Sequence, residues 1–379
     1  MRRLLVTCEY PPIAGGQGSY FKNLWSGLDP EQNLILVPFT SDRNRQEDLQ
    51  SHFAFMRIPA GEQWFQRFVR IFLVFIAMLR YSISFRPREI HAGQLIAGGF
   101  CSFLIRIMLG IPYCVHCHGA DLLEFSRYRL ARPAIKAILS NSRRIITNSN
   151  YTARLIRERY NPSVPVAIVA PCAEDRFFSY DPTVMERLGK RFPLKNKKVM
   201  LTVGRLVERK GHDVVLRSLP KLQKIHSNIH YLVAGEGPFR LNLEILARKL
   251  GVIDNVTFCG LVKPEELPAL YHCATIFVMV PRLIAEKGDV EGFGIVYLEA
   301  NATGLPVVAS RSGGIPDAVE HETNGLLVND PTDVDEVTAV LDRLLSDENL
   351  RLGLAKNSVG WARKFSRSAQ RRIWQDAVR

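Results

Sequence analysis

Two glutamates, Glu291 and Glu299, stand eight positions apart in the run Gly288-Asp-Val-Glu-Gly-Phe-Gly-Ile-Val-Tyr-Leu-Glu-Ala300. If the glycines form a turn that opens a helix, Glu291 lies at the mouth of a site and Glu299 about two helical turns deeper on the same face. Acceptors at two depths suit a ligand with hydroxyls at both ends, such as a nucleotide sugar, whose hexose and ribose are separated by a diphosphate. The run also reads as an ordinary helix N-terminus, where Glu complements the macrodipole.

Four further clusters could share that chemistry. Pro11-Pro-Ile-Ala-Gly-Gly-Gln-Gly18 follows the first apolar run, and Gly15 and Gly16 let backbone N–H groups approach a phosphate at a helix N-terminus. Its spacing is neither the dinucleotide fingerprint nor the P-loop, so a plain tight turn is the competing reading. His118-Gly-Ala-Asp121 ends an apolar run and can present an imidazole to a ligand; a structural histidine is the alternative. Gly204-Arg-Leu-Val-Glu-Arg-Lys-Gly211 brings Arg205, a planar fork, and Lys210, a point charge, to one loop where they can neutralise a diphosphate, with Arg209 as a competitor. Such cations lower the barrier when a leaving nucleoside diphosphate gains charge. The last cluster is three turns: Ala234-Gly-Glu-Gly-Pro238 with Gly235, Gly260-Leu-Val262, and Ser312-Gly-Gly-Ile-Pro-Asp317. Singly they are loop punctuation. Cys114-Val-His-Cys117-His118 imitates a metal site, but strand alternation sends Cys117 to the face opposite Cys114, His116 and His118.

The elements that must position these residues alternate between short apolar strands and amphipathic helices in both halves, the pattern of βαβ units. The first half predicts six strands, from Leu4–Cys8 to Val166–Val169, and the second half six, from Lys198–Val203 to Gly325–Val328. The fold class expected is α/β, with two doubly wound Rossmann-like domains facing across a cleft and ligands at the carboxyl ends of the strands. The domains are placed at 1–180 and 181–355, divided within 172–197, a stretch without clean periodicity. A basic helical segment, 356–379, could cross back to the first domain. Trp64–Phe85 holds nine uninterrupted apolar residues, Ile71–Leu79, between Arg67, Arg70 and Arg80. A bilayer span needs about 20, so this is a helix against the first sheet or one lying in a membrane surface.

With 379 residues the chain exceeds the size of one core, and 47% hydrophobic with 23% charged residues is an ordinary globular balance. Glu9 and Pro11-Pro12 interrupt the first apolar run too early for a signal peptide, and seven cysteines in mostly apolar surroundings suit reduced thiols, so a cytoplasmic protein is expected. Of the net +13, residues 1–180 carry most, with 22 Lys and Arg against 13 Asp and Glu. Residues 127–159 hold nine basic residues and one acid, Glu158. That patch suits a polyanion or an anionic membrane, or is a solvated helical face.

Taken in order, the clusters resemble the retaining GT-B glycosyltransferases of family 4, the group 1 glycosyltransferases, along essentially the whole chain. The resemblance implies that Glu291 binds donor hexose hydroxyls and Glu299 the ribose. Amides around Phe293, Gly294 and Ile295 would support sugar and phosphates, and Arg205 and Lys210 would clamp the diphosphate. Gly15 and Gly16 would reach the phosphates from the other domain, with Gly235 on the donor side, His118 beside the hexose, backbone near Val262 at the base and Asp121 on the acceptor side. Catalysis would fall to His118, Arg205, Lys210 and Glu291 by front-face attack with the leaving phosphate oxygen as base, without metal or other cofactor. The motif at 288–300 is closest to phosphatidylinositol-mannoside mannosyltransferases. The expected function is hexose transfer, first mannose from GDP-mannose, to a lipid-linked acceptor (phospholipid or polyprenyl-diphosphate oligosaccharide) on the inner face of the cytoplasmic membrane. A UDP-hexose or UDP-N-acetylhexosamine donor, with a saccharide or small-molecule acceptor, is the nearest alternative. A nicotinamide-dependent dehydrogenase is disfavoured by the missing Gly-x-Gly-x-x-Gly fingerprint. A nucleic-acid-binding protein would use the 127–159 patch but leaves the glutamate pair unused, so no nucleic-acid partner is expected.

Overall fold

Runs of branched and aromatic residues bounded by Gly, Pro and Asn form parallel strands throughout, and the intervening helices bury one apolar stripe each. The computed structural model describes residues 1–11, 15–38, 53–56, 64–126, 128, 130–192 and 194–379. These divide into two units: Met1–Ala170 with Gln370–Arg379, and Pro171–Ala369. The divide at 170/171 falls before the 180/181 read from sequence.

The first unit carries strands β1 (Arg3–Val6), β2 (Asn33–Pro38), β3 (Phe53–Met56), β4 (Glu89–Ala92), β5 (Tyr113–Cys117), β6 (Arg144–Thr147) and β7 (Val166–Ile168). They form one seven-stranded parallel sheet in the order β3-β2-β1-β4-β5-β6-β7. Its helices are α1 (Gly16–Trp25), α2 (Trp64–Phe85), α3 (Phe100–Leu109), α4 (Ala120–Ser126), α5 (Ala131–Ser140) and α6 (Asn150–Tyr160). Six strands were expected; β3 adds the seventh. Helix α2 is neither wholly buried nor polar outside: Val74 and Met78 are buried, whereas Phe72 and Ile83 are 62% and 59% exposed. No helix among the described residues is long and apolar enough to cross a membrane. Arg127 and Arg129 of the basic stretch, and Pro12 to Ala14 of the glycine turn, lie outside the described residues.

The second unit carries β8 (Lys198–Val203), β9 (Ile229–Ala234), β10 (Val256–Gly260), β11 (Ile276–Val278), β12 (Val307–Ser310) and β13 (Gly325–Val328), in the order β10-β9-β8-β11-β12-β13, all parallel. Its helices are α7 (Pro182–Arg191), α8 (His212–Ile225), α9 (Arg240–Lys249), α10 (Leu267–His272), α11 (Ile295–Ala302), α12 (Ile315–Ala318), α13 (Val334–Ser346) and α14 (Glu348–Lys364). The core packs Leu216, Leu219, Tyr231, Val278, Leu326 and Leu341 between sheet and helices. Helix α7 occupies the stretch read as lacking periodicity: Asp181 caps it by accepting from the Thr183 amide at 2.8 Å, and Pro182 takes the first turn, where its missing N–H costs nothing.

The terminal helix α15 (Arg367–Ala377) begins in the second unit, and its residues from Gln370 onward belong to the first. Trp374 is fully buried there against Trp25, so truncating it to Ala would cost about 3–5 kcal/mol. Arg371 donates to the carbonyls of Asn23, Leu24 and Ser26, which end α1 without helical partners of their own.

Candidate functional site

Because all strands are parallel, the loops after β8, β9, β10, β11 and β12 leave the same edge of the second sheet, and they carry the expected donor residues. After β8 the chain makes a single 3₁₀ turn over Glu208–Lys210. Arg282 fixes this turn from the β11 side, its amide donating to the Arg209 carbonyl at 2.9 Å and its guanidinium pairing bidentately with Asp213 at 2.9 and 3.1 Å. The turn aims Arg209 and Lys210 at one carboxylate. Glu291 Oε2 accepts from Lys210 Nζ at 2.6 Å and from Arg209 Nη1 at 2.5 Å, while Arg209 Nε pairs with Asp289 Oδ1 at 2.8 Å. Arg205, the cation read from sequence as Lys210's companion, is exposed instead, although its charge still bears on Lys210. Arg209, named from sequence only as a competitor, and Asp289, not singled out there, thus join Lys210 and Glu291 in one ion-pair cluster; the only sequence signal was the basic doublet before Gly211.

The electrostatics follow from burial. Desolvation opposes ionisation of Glu291, but Lys210 and Arg209 outweigh it and hold its carboxyl at about 2. Burial likewise pulls Lys210 down, and Glu291 opposes that. Arg209 and Lys210 thus face two carboxylates here, Glu291 and Asp289.

The two glutamates do not share a helical face as expected. Gly294 has φ 88°, which interrupts the chain before α11 begins at Ile295, so Glu291 lies in the turn ahead of the helix and only Glu299 lies within it. A Cβ on Gly294 would come within 2.4 Å of the Tyr297 ring. Below Glu291 the Ser312-Gly-Gly turn packs just as tightly: the Gly314 amide donates to the Glu291 carbonyl at 2.9 Å, and a Cβ on Gly313 would stand 2.3 Å from that oxygen. Phe293 is buried against Phe365. The Ile295 and Val296 amides open α11 ahead of any helical acceptor, and the Tyr297 amide donates to the Gly294 carbonyl at 3.1 Å.

Glu299 accepts from the Tyr271 hydroxyl at 2.9 Å. Burial pushes its carboxyl up to about 7, against the lowering effect of that hydrogen bond. The Gly235 amide is already committed to the Gly260 carbonyl at 2.8 Å, so Gly235 contributes shape rather than a donor N–H. Val262 is half-buried in the turn after β10.

The remaining expected residues belong to the first unit. Gly15 and Gly16 are exposed at the start of α1. His118 follows β5 and is 7% exposed, its ring edge-on to Tyr20 and Phe21. Burial lowers its pKa, so the neutral ring donates Nε2–H to the Gly93 carbonyl at 3.2 Å. Asp121 Oδ1 accepts from the amides of His118 and Leu122, both at 3.0 Å. Its Oδ2 is buried without a hydrogen-bond partner among the described residues.

Comparison with known proteins gives a consistent picture. Residues 186–361 match the family described as glycosyl transferases group 1, and residues 15–172 match a glycosyl transferase 4-like domain. A GDP-mannose-dependent alpha-(1-6)-phosphatidylinositol monomannoside mannosyltransferase of Mycolicibacterium smegmatis is 35% identical over 245 residues. That alignment covers 65% of this chain and 64% of the mannosyltransferase. An uncharacterized glycosyltransferase of Methanocaldococcus jannaschii is 39% identical over 378 residues, 94% of this chain and 92% of its own. Among solved structures, sucrose-phosphate synthase of Thermosynechococcus elongatus superposes with a TM-score of 0.84 at 20% identity, covering 100% of this chain and 98% of the other. HepE of Anabaena, in complex with UDP and glucose, gives 0.79 at 16% identity, covering 100% and 99%. These likenesses establish the GT-B fold.

Proposed function

This chain belongs to the group 1 glycosyltransferases, and from that premise we propose that it moves a hexose, mannose from GDP-mannose first, from a nucleotide-diphosphate sugar to a lipid-linked acceptor. The observation that carries the reading is Glu291 held ionised between Arg209 and Lys210 at the head of the helix that bears Glu299. An arriving diphosphate offers these cations a second anion. They stabilise the charge that grows on the leaving nucleoside diphosphate, while Glu291 is released towards the hexose hydroxyls. The acceptor hydroxyl attacks the anomeric carbon on the face from which the phosphate leaves. Its proton passes to the departing phosphate oxygen, so configuration is retained and no carboxylate nucleophile is required. The clamp is made of side chains, and the proposal includes no metal.

The choice of mannose rests on the mannosyltransferase relative. A lipid acceptor, and a place on the inner face of the cytoplasmic membrane, are supported by the first unit. Helices α2 and α3 pack together and expose Phe72, Ile76, Ile83, Ile107, Met108 and Leu109, with Arg80 and Arg106 among them and no acidic residue in either helix. Apolar side chains with flanking arginines suit an anionic lipid surface.

A thermal-shift screen of GDP, UDP, ADP and their sugars tests the reading. GDP-mannose is expected to stabilise most, by about 2.7 kcal/mol at a hundredfold excess over its Kd. The largest shift with UDP sugars would replace the donor, and no shift with any of them would sink the transfer reading.

A further inference from the structure

The first unit contains a buried polar seam that the proposed chemistry does not use. Glu89 and His91 on β4, and Cys114 and His116 on β5, emerge on one face, with His91 in register beside Cys114. They enter a layer otherwise built from Leu5, Phe21, Trp25, Ile146 and Trp374. A carboxylate in such a layer must be paired. Glu89 Oε1 accepts from Arg143 Nη1 at 2.9 Å, and Oε2 faces His91 Nε2 at 3.1 Å. Burial opposes its ionisation, but the hydrogen bond from His91 and the Arg143 guanidinium hold its carboxyl below the ordinary range.

The hydrogens can then be assigned one after another. An ionised carboxylate only accepts, so His91 carries its hydrogen on Nε2. His91 Nδ1 lies 3.3 Å from His116 Nε2, and His116 Nδ1 lies 3.5 Å from the Tyr20 hydroxyl. Arg143 already matches the single charge of Glu89, with Arg3 at 3.9 Å, so a second proton on the histidine pair would be an unmatched buried charge. With one hydrogen each, Tyr20 donates to His116 Nδ1, His116 Nε2–H donates to His91 Nδ1, and His91 Nε2–H donates to Glu89. Every link points towards the carboxylate.

We propose that Glu89, His91 and His116 are positioning residues: their one-directional hydrogen-bond chain ends on Tyr20 and sets the seat of helix α1, and with it the Gly15-Gly16 turn and the His118 ring. Tyr20 lies one turn into α1, and its ring meets His118 edge-on at 5.4 Å. The far end of α1 is held by Arg371, while Trp374 from the same terminal helix covers His91 at 5.6 Å. The ligand atoms of Glu89, His91 and Cys114 lie within 4.8 Å of one another, the separation a metal centre would need. The charges speak against a cation there: Arg143 sits on the same carboxylate, and burial together with Glu89 holds the Cys114 thiol protonated, 3.5 Å from Glu89 Oε1.

The positioning role rests on the transfer reading, whereas the hydrogen-bond chain does not. Long-range proton–nitrogen NMR of the imidazoles at neutral pH is expected to show hydrogen on Nε2 of both His91 and His116, His116 without a second proton, and spectra unchanged by added zinc. An imidazolium or an Nδ1–H tautomer at His116, or stoichiometric zinc shifting His91, would overturn the proposal. Tyr20→Phe removes only the last hydroxyl; it should shift the His116 Nδ1 resonance and lower kcat/KM for transfer about three- to tenfold, the scale of one neutral hydrogen bond. His116→Gln, which keeps a donor near the Nε2 position, should retain more activity than His116→Phe. Unchanged spectra and rates in Tyr20→Phe would refute the role. Wild-type protein that binds no nucleotide sugar would sink the transfer reading and leave the chain to be decided by the spectra.

Discussion

Replacing Glu291 by Gln removes the one anion that Lys210 and Arg209 share. The carboxyl stands at about 2 against an ordinary 4.5, which corresponds to about 3 kcal/mol of stability linked to its ionisation. Gln keeps a neutral acceptor, and Asp289 still pairs with Arg209, so the net loss at neutral pH is about 2–3 kcal/mol. For a unit the size of residues 171–369 that lowers the melting temperature by about 5–10 °C. The sign with pH is fixed. The folded value is depressed, so the contribution is complete above pH 4.5 and fades as the pH falls towards 2, and the gap between wild type and variant must narrow in that window. Differential scanning calorimetry across a pH series reads this directly. Lys210→Met on the Glu291→Gln background should cost less than Lys210→Met alone, since its partner is already gone. The variant should also bind a nucleoside diphosphate more tightly than wild type, because Lys210 is released, yet lose sugar transfer. A melting temperature within about 1 °C of wild type at neutral pH would show that the ion pair carries no such energy, and the reasoning would fail.

Glu299 predicts the opposite slope. Its folded value, about 7, lies above 4.5, so the folded state keeps a proton that the unfolded chain releases, and stability falls as pH rises between those values. Urea midpoints should show this decline in wild type and not in Glu299→Gln; the same slope in both would refute the assignment. Phe72→Asp with Ile107→Asp should abolish flotation with anionic liposomes at an unchanged melting temperature, since both side chains are exposed. Undiminished flotation of this double variant would remove the α2–α3 face from the membrane reading.

Much of the fold was legible because parallel strands buried on both faces read as short apolar runs, and helices as amphipathic ones between them. Strand β3 escaped because Phe53–Met56 is only four residues long and isolated from other signals. Helix α7 escaped because 172–197 was read as a stretch without clean periodicity, although Asp181-Pro182 is a helix start. Cys114, His116 and His118 were correctly sent to one face, yet the seam they join was invisible: Glu89 and His91 come from a neighbouring strand, and pairing between strands is not written in local sequence. Arg209 illustrates the same limit at the site. Three cations lie within six residues, and only the 3₁₀ turn at Glu208–Lys210 decides which two point at Glu291.

That turn also gives Glu291 a second task. Cations kept for a diphosphate must be partly desolvated to act strongly on it, and a desolvated cation without a partner is costly. Lys210 is 12% exposed in its side chain, so in the absence of ligand it needs an anion, and Glu291 at 2.6 Å supplies one. On the proposed reading, the hydroxyl-binding carboxylate and the counterion of Lys210 are therefore one residue. If the proposed donor binds there, its diphosphate would take over the Lys210 contact and free Glu291 for the sugar, whereas a sugar without phosphate would have to compete with Lys210 for the carboxylate. On that reading the ion pair would favour a charged nucleotide donor over a free hexose before any base-specific contact is made.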